Sequence, residues 1–393
     1  MRFSAAVITS LALLASPVLG APNADNKSVD NATDAKNQSY IVVLNDNVSK
    51  QAHLNWVRQH LGNNSVTHGD WRSDVLHGFA GKFSEAGLNL LHANPDVKSV
   101  QEDHVVYAAQ GNITTQFDAP WGLSRMSQDA PLSNPNEFDL NFPYSYNFHA
   151  GVGADIYIVD TGINIDHVEF GGRARWGATF GSNVDADENG HGTHVAGIAA
   201  SYRYGVAKAA NLIAVKVLGE SGSESDVISG INWVIAQVET TRRPSVVNLS
   251  LGARVGPGRI PLDLAVTALV DAGIPATVSA MNENEDAINW SPAHTPEAIT
   301  VGATTIADAR APFSNFGSVL DIFAPGLNII STWIGSTTAA PHVAGLIAYL
   351  FSVEGKQSPS AVADRLQDLA LKNVITGIPA GTPNILARND VVQ

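Results

Sequence analysis

The sequence contains no cysteine, which excludes a disulfide framework, a thiolate nucleophile and a zinc–thiolate site. Any metal must therefore take oxygen or imidazole ligands. Basic residues are also scarce: 23 Lys and Arg stand against 37 Asp and Glu in 393 residues, a formal charge of -14. Such a surface repels phosphate backbones and anionic membranes, so nucleic acid is not an expected partner. After the N-terminus no apolar run approaches the roughly 18 residues of a membrane span, and no membrane association is expected. No repeat at roughly 20–50 residues points to a solenoid. What is present is hydrophobic material, 45% of the chain, ample for a large core and two or three domains.

Arg2, the mostly apolar run Ala5–Leu14, Ser16-Pro17 and the small-residue exit Gly20-Ala21 form a signal-peptide pattern over residues 1–20. A buried N-terminal helix is the structural alternative. The signal predicts a secreted, extracellular glycoprotein, and sequons at Asn26, Asn31, Asn37, Asn47, Asn63 and Asn112 fit that route. Asn248 and Asn289 also match, but Asn248 lies in an apolar strand and is not expected to be glycosylated.

Residues 21–38 are polar and read as a linker. Residues 39–108 then give a β-run at Ser39–Leu44, a helical pattern at Lys50–Leu61, a strand at Val75–Phe83, a helix at Leu88–His92 and a strand at Val97–Tyr107. That order predicts a small α+β plait. Residues 109–150 read as an irregular connector. From Ala154, continuous apolar strands at 155–159, 212–218, 245–251, 275–280, 298–303 and 320–323 alternate with helices at 191–200, 225–238, 262–272, 343–351 and 360–371. Strands without polar alternation imply an α/β fold, a doubly wound parallel sheet covered on both faces. Its site is expected at the carboxyl ends of the strands.

Two residues carry candidate chemistry. Asp160 closes the run Ile156-Tyr157-Ile158-Val159, where a carboxylate can orient an imidazole or simply cap a turn. His191 sits between glycines in Asn189-Gly190-His191-Gly192-Thr193-His194, at a helix start, where it can exchange protons with a hydroxyl near neutral pH. A metal shared by His191 and His194 lacks a third ligand at helical spacing, and His194 reads as a core histidine. The acidic run from Asp185 begins like an EF-hand loop but has Ala196 where a glutamate is required.

IVDTGIN followed by NGHGTHVAG resembles the subtilisin-like serine peptidases, and more closely the secreted fungal enzymes similar to proteinase K. The runs Asn248-Leu249-Ser250-Leu251-Gly252, Ser279-Ala280-Met281-Asn282, Phe313-Ser314-Asn315-Phe316-Gly317 and Pro341-His342-Val343-Ala344-Gly345 extend the resemblance. It implies a peptidase domain over 109–393, with a mature start at 109–118, and makes the plait at 39–108 its own inhibitory propeptide. The resemblance also implies protein or peptide substrates and a monomer. By the same resemblance Asp160 orients His191, His191 is the general base, Asn282 donates to the oxyanion, and Ser250, Leu251 and Gly252 pair with an extended substrate. Pro296, Ala298 and Asp321 match a structural calcium site, although a lone aspartate equally fits a solvated strand end.

The chain departs from the family at the nucleophile. Where the family reads GTSMAAPHVAG or GTSMATPHVAG, Gly335-Ser336-Thr337-Thr338-Ala339-Ala340-Pro341 places Thr337 at the serine position, and Ser331-Thr332-Trp333-Ile334-Gly335 runs straight into it. About eight to ten residues are missing by comparison. Ser336 is out of register, and the β-methyl of Thr337 crowds any attack. Met281 stands where a glycine usually precedes the asparagine and is expected to fill part of the substrate pocket. Two readings follow: an endopeptidase precursor whose written sequence has lost its nucleophile segment through splicing or gene prediction, or a pseudopeptidase acting as a peptide-binding or decoy protein.

Overall fold

In the computed structural model the chain divides into two units, residues 1–108 and 109–393. The described residues are 39–62, 64–69, 71–103, 113–181, 184–255, 260–332 and 338–391. The signal peptide, the linker, residues 109–112 of the expected mature start and Thr337 lie outside them.

The first unit comprises β1 (Ser39–Leu44), α1 (Lys50–Leu61), β2 (Val66–His68), β3 (Gly78–Lys82), α2 (Glu85–His92) and β4 (Val97–Glu102). The strands form an antiparallel sheet in the order β2-β3-β1-β4. Alternation in β1 sends Val42 and Leu44 inward against Leu54, Val57, Phe79 and Leu91. Ser49 and Ser84 cap α1 and α2 by accepting the N–H groups of Ala52 and Gly87. The strand expected from Val75 begins only at Gly78, because the N–H groups of Val75 and Leu76 turn back to the Arg72 carbonyl.

The second unit runs β5 (Ile113–Ala119), α3 (Trp121–Arg125), β6 (Phe142–Asn147), β7 (Asp155–Asp160), β8 (Ala174–Thr179), α4 (His191–Ala200), β9 (Asn211–Lys216), α5 (Glu224–Thr241), β10 (Ser245–Leu249), β11 (Ala253–Arg254), α6 (Pro261–Asp271), β12 (Ala276–Ser279), β13 (Trp290–Ser291), β14 (Ile299–Thr304), β15 (Ile322–Pro325), α7 (Ala340–Glu354), α8 (Pro359–Leu369), β16 (Leu371–Lys372) and β17 (Ile385–Leu386). The irregular connector expected at 109–150 is overturned in part: β5 and β6 pair antiparallel, Ile113 opposite Asn147, around the buried helix α3. Neither strand has the continuous apolar run of the central sheet. Strand β8 also escaped the sequence reading, since Ala-Arg-Trp-Gly-Ala-Thr is half-exposed edge with a register shift at Trp176–Ala178.

Nine strands form one sheet in the order β16-β17-β15-β14-β12-β10-β7-β9-β8, parallel except for β16 with β17. Ile156 and Ile158 of β7 face a core built with α4 and α7, whereas Tyr157 and Val159 face a second core built with α5 and α6. Both faces are thus buried, which is why these strands read as unbroken apolar runs. Each such Ile or Val contributes roughly 1.5–3 kcal/mol by leaving water. From β7 the chain order runs one way through β9 and β8 and the other way through β10, β12, β14 and β15. The reversal between β7 and β10 is a topological switch point, and a crevice opens at the carboxyl ends of those two strands.

Candidate active site

Asp160 is the last residue of β7 and is fully buried. Its Oδ1 accepts the N–H of Thr161 at 2.7 Å and faces Nδ1 of His191, also at 2.7 Å. His191 begins α4, and Gly192 makes its approach to β7 possible: a Cβ there would lie 2.0 Å from the Gly162 carbonyl oxygen. Any larger residue would push the helix off the strand and break the pair. With Nδ1–H given to the carboxylate, Nε2 remains as the basic nitrogen, on a side chain 31% exposed and with no hydrogen-bond partner for Nε2 among the described residues. The charge of Asp160 raises the His191 pKa above 6.5, against the opposing effect of burial and with help from the hydrogen bond to Asp160 and the charge of Asp187.

A second carboxylate, missed in the sequence, holds this arrangement. Asp187 Oδ1 accepts the Thr161 hydroxyl at 2.8 Å and the Gly190 N–H at 2.9 Å, while Oδ2 accepts the Thr193 N–H at 2.9 Å and its hydroxyl at 2.5 Å. The Thr161 hydroxyl oxygen in turn accepts the Gly192 N–H at 2.9 Å. The strand exit is thereby tied to the first turn of α4 on both sides of His191. Burial alone would raise the Asp187 carboxyl, but these hydrogen bonds outweigh it and hold it below 3.8. Its spacing, four residues before His191, was the available signal, obscured by the surrounding acidic run.

A cleft of about 510 Å³ lies beside His191, lined also by Ser250, Leu251, Gly252 and Met281. Asn248 is fully buried, donates from Nδ2 to Ser250 Oγ at 2.9 Å and accepts from the Thr277 hydroxyl at 3.2 Å. Its amide is therefore structural and closed to glycosylation in the folded chain. Ser250 Oγ also lies 3.2 Å from the hydroxyl of Thr338, which links this edge to the segment entering α7.

Asn282 follows β12 and is exposed, its N–H donating to Glu283 at 2.8 Å. The loop around it is fixed by buried Asn315, whose Oδ1 accepts the N–H groups of Glu283 and Glu285 at 3.0 Å and whose own N–H donates to the Met281 carbonyl at 3.1 Å. Asn315 lay in a quoted motif without a role. Met281 takes φ +77° and lines the cleft.

Other predicted residues lie outside this group. His194 is fully buried, its Nε2 3.0 Å from the Ile329 carbonyl, and burial pushes it down to about 4, which makes it a neutral core residue. Pro296, Ala298 and Asp321 do not line the cleft. Burial pushes the Asp321 carboxyl up to about 6, its Oδ2 accepts the Thr300 N–H at 2.7 Å, and among the described residues no ion pair neutralises it. A half-buried carboxylate with no ion-pair partner among the described residues supplies one hard oxygen donor of the kind calcium takes. Among the described residues no three acidic or histidine side chains gather around a metal position. Nor is any helix among them long and apolar enough to cross a membrane.

A buried carboxylate fixing an imidazole at the switch point of a doubly wound sheet, beside an edge able to pair with an extended chain, is a site of the serine-peptidase kind. The subtilase family model matches residues 151–386, and the peptidase inhibitor I9 model matches residues 39–109. The chain is 47% identical to the subtilisin-like serine protease AsES of Sarocladium strictum, over 80% of this chain and 81% of that one. It is 40% identical to alkaline protease 2 of Aspergillus fumigatus, over 98% and 86% respectively. A crystal structure of a cold-adapted subtilisin-like serine proteinase, 41% identical, superposes with a TM-score of 0.62, covering 69% of this chain and 98% of that one. The chain belongs to the subtilase family of serine proteases and carries an I9 inhibitor propeptide ahead of its peptidase domain.

Proposed function

We infer that the chain is the precursor of a secreted subtilisin-like endopeptidase that hydrolyses peptide bonds in proteins, and that as written it is inactive. The observation that carries the reading is the 2.7 Å Asp160–His191 pair at the edge of a cleft lined by Ser250, Leu251 and Gly252. In this reading Asp160 holds the imidazole tautomer, His191 takes the nucleophile's proton and returns it to the leaving amine, and the Asn282 side chain donates to the oxyanion. Residues 250–252 pair with the substrate main chain. Thr337, four residues before Pro341, leaves no serine hydroxyl in register.

The first unit acts as the intramolecular inhibitor of a monomer, and export follows the N-terminal signal. Calcium, when bound, would sit on the Asp321 carboxylate and the Pro296 and Ala298 carbonyls and offset the charge of a half-buried group. A pseudopeptidase that binds peptides or acts as a decoy is the second reading, favoured by Met281, whose side chain lines the cleft from a strained backbone. Sequencing the transcript across Ser331–Gly345 separates the two. A Gly-Thr-Ser-Met run between Thr338 and Ala339 establishes the peptidase precursor; its absence establishes the pseudopeptidase.

A further inference from the structure

Met281 occupies a conformation that a long side chain adopts only when its surroundings impose it, φ +77°. Its backbone is pinned on both sides: the N–H donates to Ser279 Oγ at 3.1 Å and the carbonyl accepts from Asn315. The side chain packs on the apolar cluster of Ala280, Ala287, Trp290 and Ala293. It also lies on Gly252, where an added Cβ would meet Sδ at 3.0 Å and Cγ at 3.4 Å. The thioether therefore fills the gap between Gly252 and the end of β12, and residues 250–253 and Met281 line the cleft beside His191.

A peptide paired with residues 250–252 and aiming the carbonyl under attack at Asn282 directs the side chain of that same residue into this gap. We propose that Met281 is the specificity-determining residue of the cleft: it closes this subsite, so that the chain accepts glycine or alanine there and turns away aromatic and large aliphatic side chains. The proposal rests on the peptide-cleft reading above. An apolar side chain elsewhere on the peptide keeps its place, since Leu218, Val227, Ile260 and Leu262 still line open space. Excluding an aromatic ring from a filled slot is worth about ten- to a hundredfold in affinity.

The test needs no catalysis. The sequence has three methionines, Met1, Met126 and Met281, and Met126 is fully buried, so ¹³C-methyl labelling gives Met281 a resolvable signal and Met126 a fold control. Two blocked peptides that differ only in alanine or phenylalanine at one position are titrated into the full chain and into Met281→Gly, with affinities from fluorescence anisotropy. A propeptide seated in the cleft lowers both affinities by one factor and leaves their ratio intact. In the wild-type chain the alanine peptide is expected to shift the Met281 methyl signal and bind at least tenfold more tightly, and Met281→Gly is expected to abolish or reverse the preference. Glycine suits φ +77°, so that variant folds, with the Met126 signal in place. Equal affinities in the wild-type chain, an unchanged ratio in the variant, or binding that leaves the Met281 signal unmoved overturns the proposal alone. Failure of both peptides to bind either protein, persisting after limited proteolysis has removed residues 1–108, overturns the peptide-cleft reading and the proposal with it.

Discussion

Lys208 gives the stability of the second unit an unusual pH dependence. Its ammonium is almost fully buried, donating to the carbonyls of Tyr202 at 2.8 Å and Arg203 at 3.3 Å. Burial pushes it from 10.5 down to about 7, although the charges of Glu169 and Asp118 pull it up; Arg173 adds to the fall. The rings of Tyr144 and Tyr146, each centred 5.3 Å from Nζ, favour the cation by about 0.5–2 kcal/mol. That is smaller than the burial effect: at about 1.4 kcal/mol for each tenfold change in proton affinity, a fall from 10.5 to about 7 amounts to about 5 kcal/mol. The sign follows from proton counting. Between the two values the unfolded chain holds the proton and the folded chain does not, so stability rises with pH from about 7 towards 10.5, and below 7 the penalty is at its full size. Guanidinium unfolding of the wild type and Lys208→Met at several pH values across that window isolates the effect, since other titrating groups cancel in the difference. The wild type should gain on the variant by about 1.4 kcal/mol per pH unit within that window. A difference that stays flat with pH would mean that the tyrosine rings keep the lysine charged and that burial does not set its titration.

With a Gly-Thr-Ser-Met segment restored, kcat/KM should rise as pH passes through the raised His191 value, because only the neutral imidazole accepts a proton, and Asp160→Asn should lower kcat by about 10⁴-fold. The His191–Asp160 ion pair contributes stability that is fully present below pH 6.5 and fades as pH rises through the folded value, so His191→Ala should be more destabilising at pH 5 than at pH 9. Asp187→Ala strips the hydrogen bonds that seat α4 and should lower the melting temperature by roughly 5–10 °C; equal melting curves would remove its positioning role. Chelation should lower the melting temperature of the wild type and leave Asp321→Asn unmoved, with about 2.7 kcal/mol at stake when calcium is at 100 times its Kd; wild-type curves that ignore the chelator would rule the calcium site out.

Much of the fold was legible because burial leaves a periodic trace. Strand β7 is apolar at Ile156, Tyr157, Ile158 and Val159 since both of its faces are covered, and that signature located the central sheet, whereas the switch point between β7 and β10 needed the strand order. Where only one face packs, the trace fades, so the β5–β6 pair and β8 were hidden among Pro, Asn and Gly. At the site, residues with dedicated chemistry, Asp160 and His191, stood out by their flanking glycines and strand end. The residues that hold the neighbouring segments, Asp187 and Thr161 around His191 and Asn315 around Asn282, use side chains common in any turn and become visible only through the hydrogen bonds they make across distant segments. Met281 was readable as an oddity, but that its backbone is left-handed and its thioether lies on Gly252 required coordinates.

In the proposed reading this subtilase lacks its attacking hydroxyl. Release of the propeptide requires that group, so the N-terminus of the secreted product, made in a host free of other proteases, reads it out directly. A chain that begins at the signal boundary, near residue 21, and retains residues 39–108 is expected. A self-generated start within residues 109–118 would show that the chain supplies a working nucleophile after all.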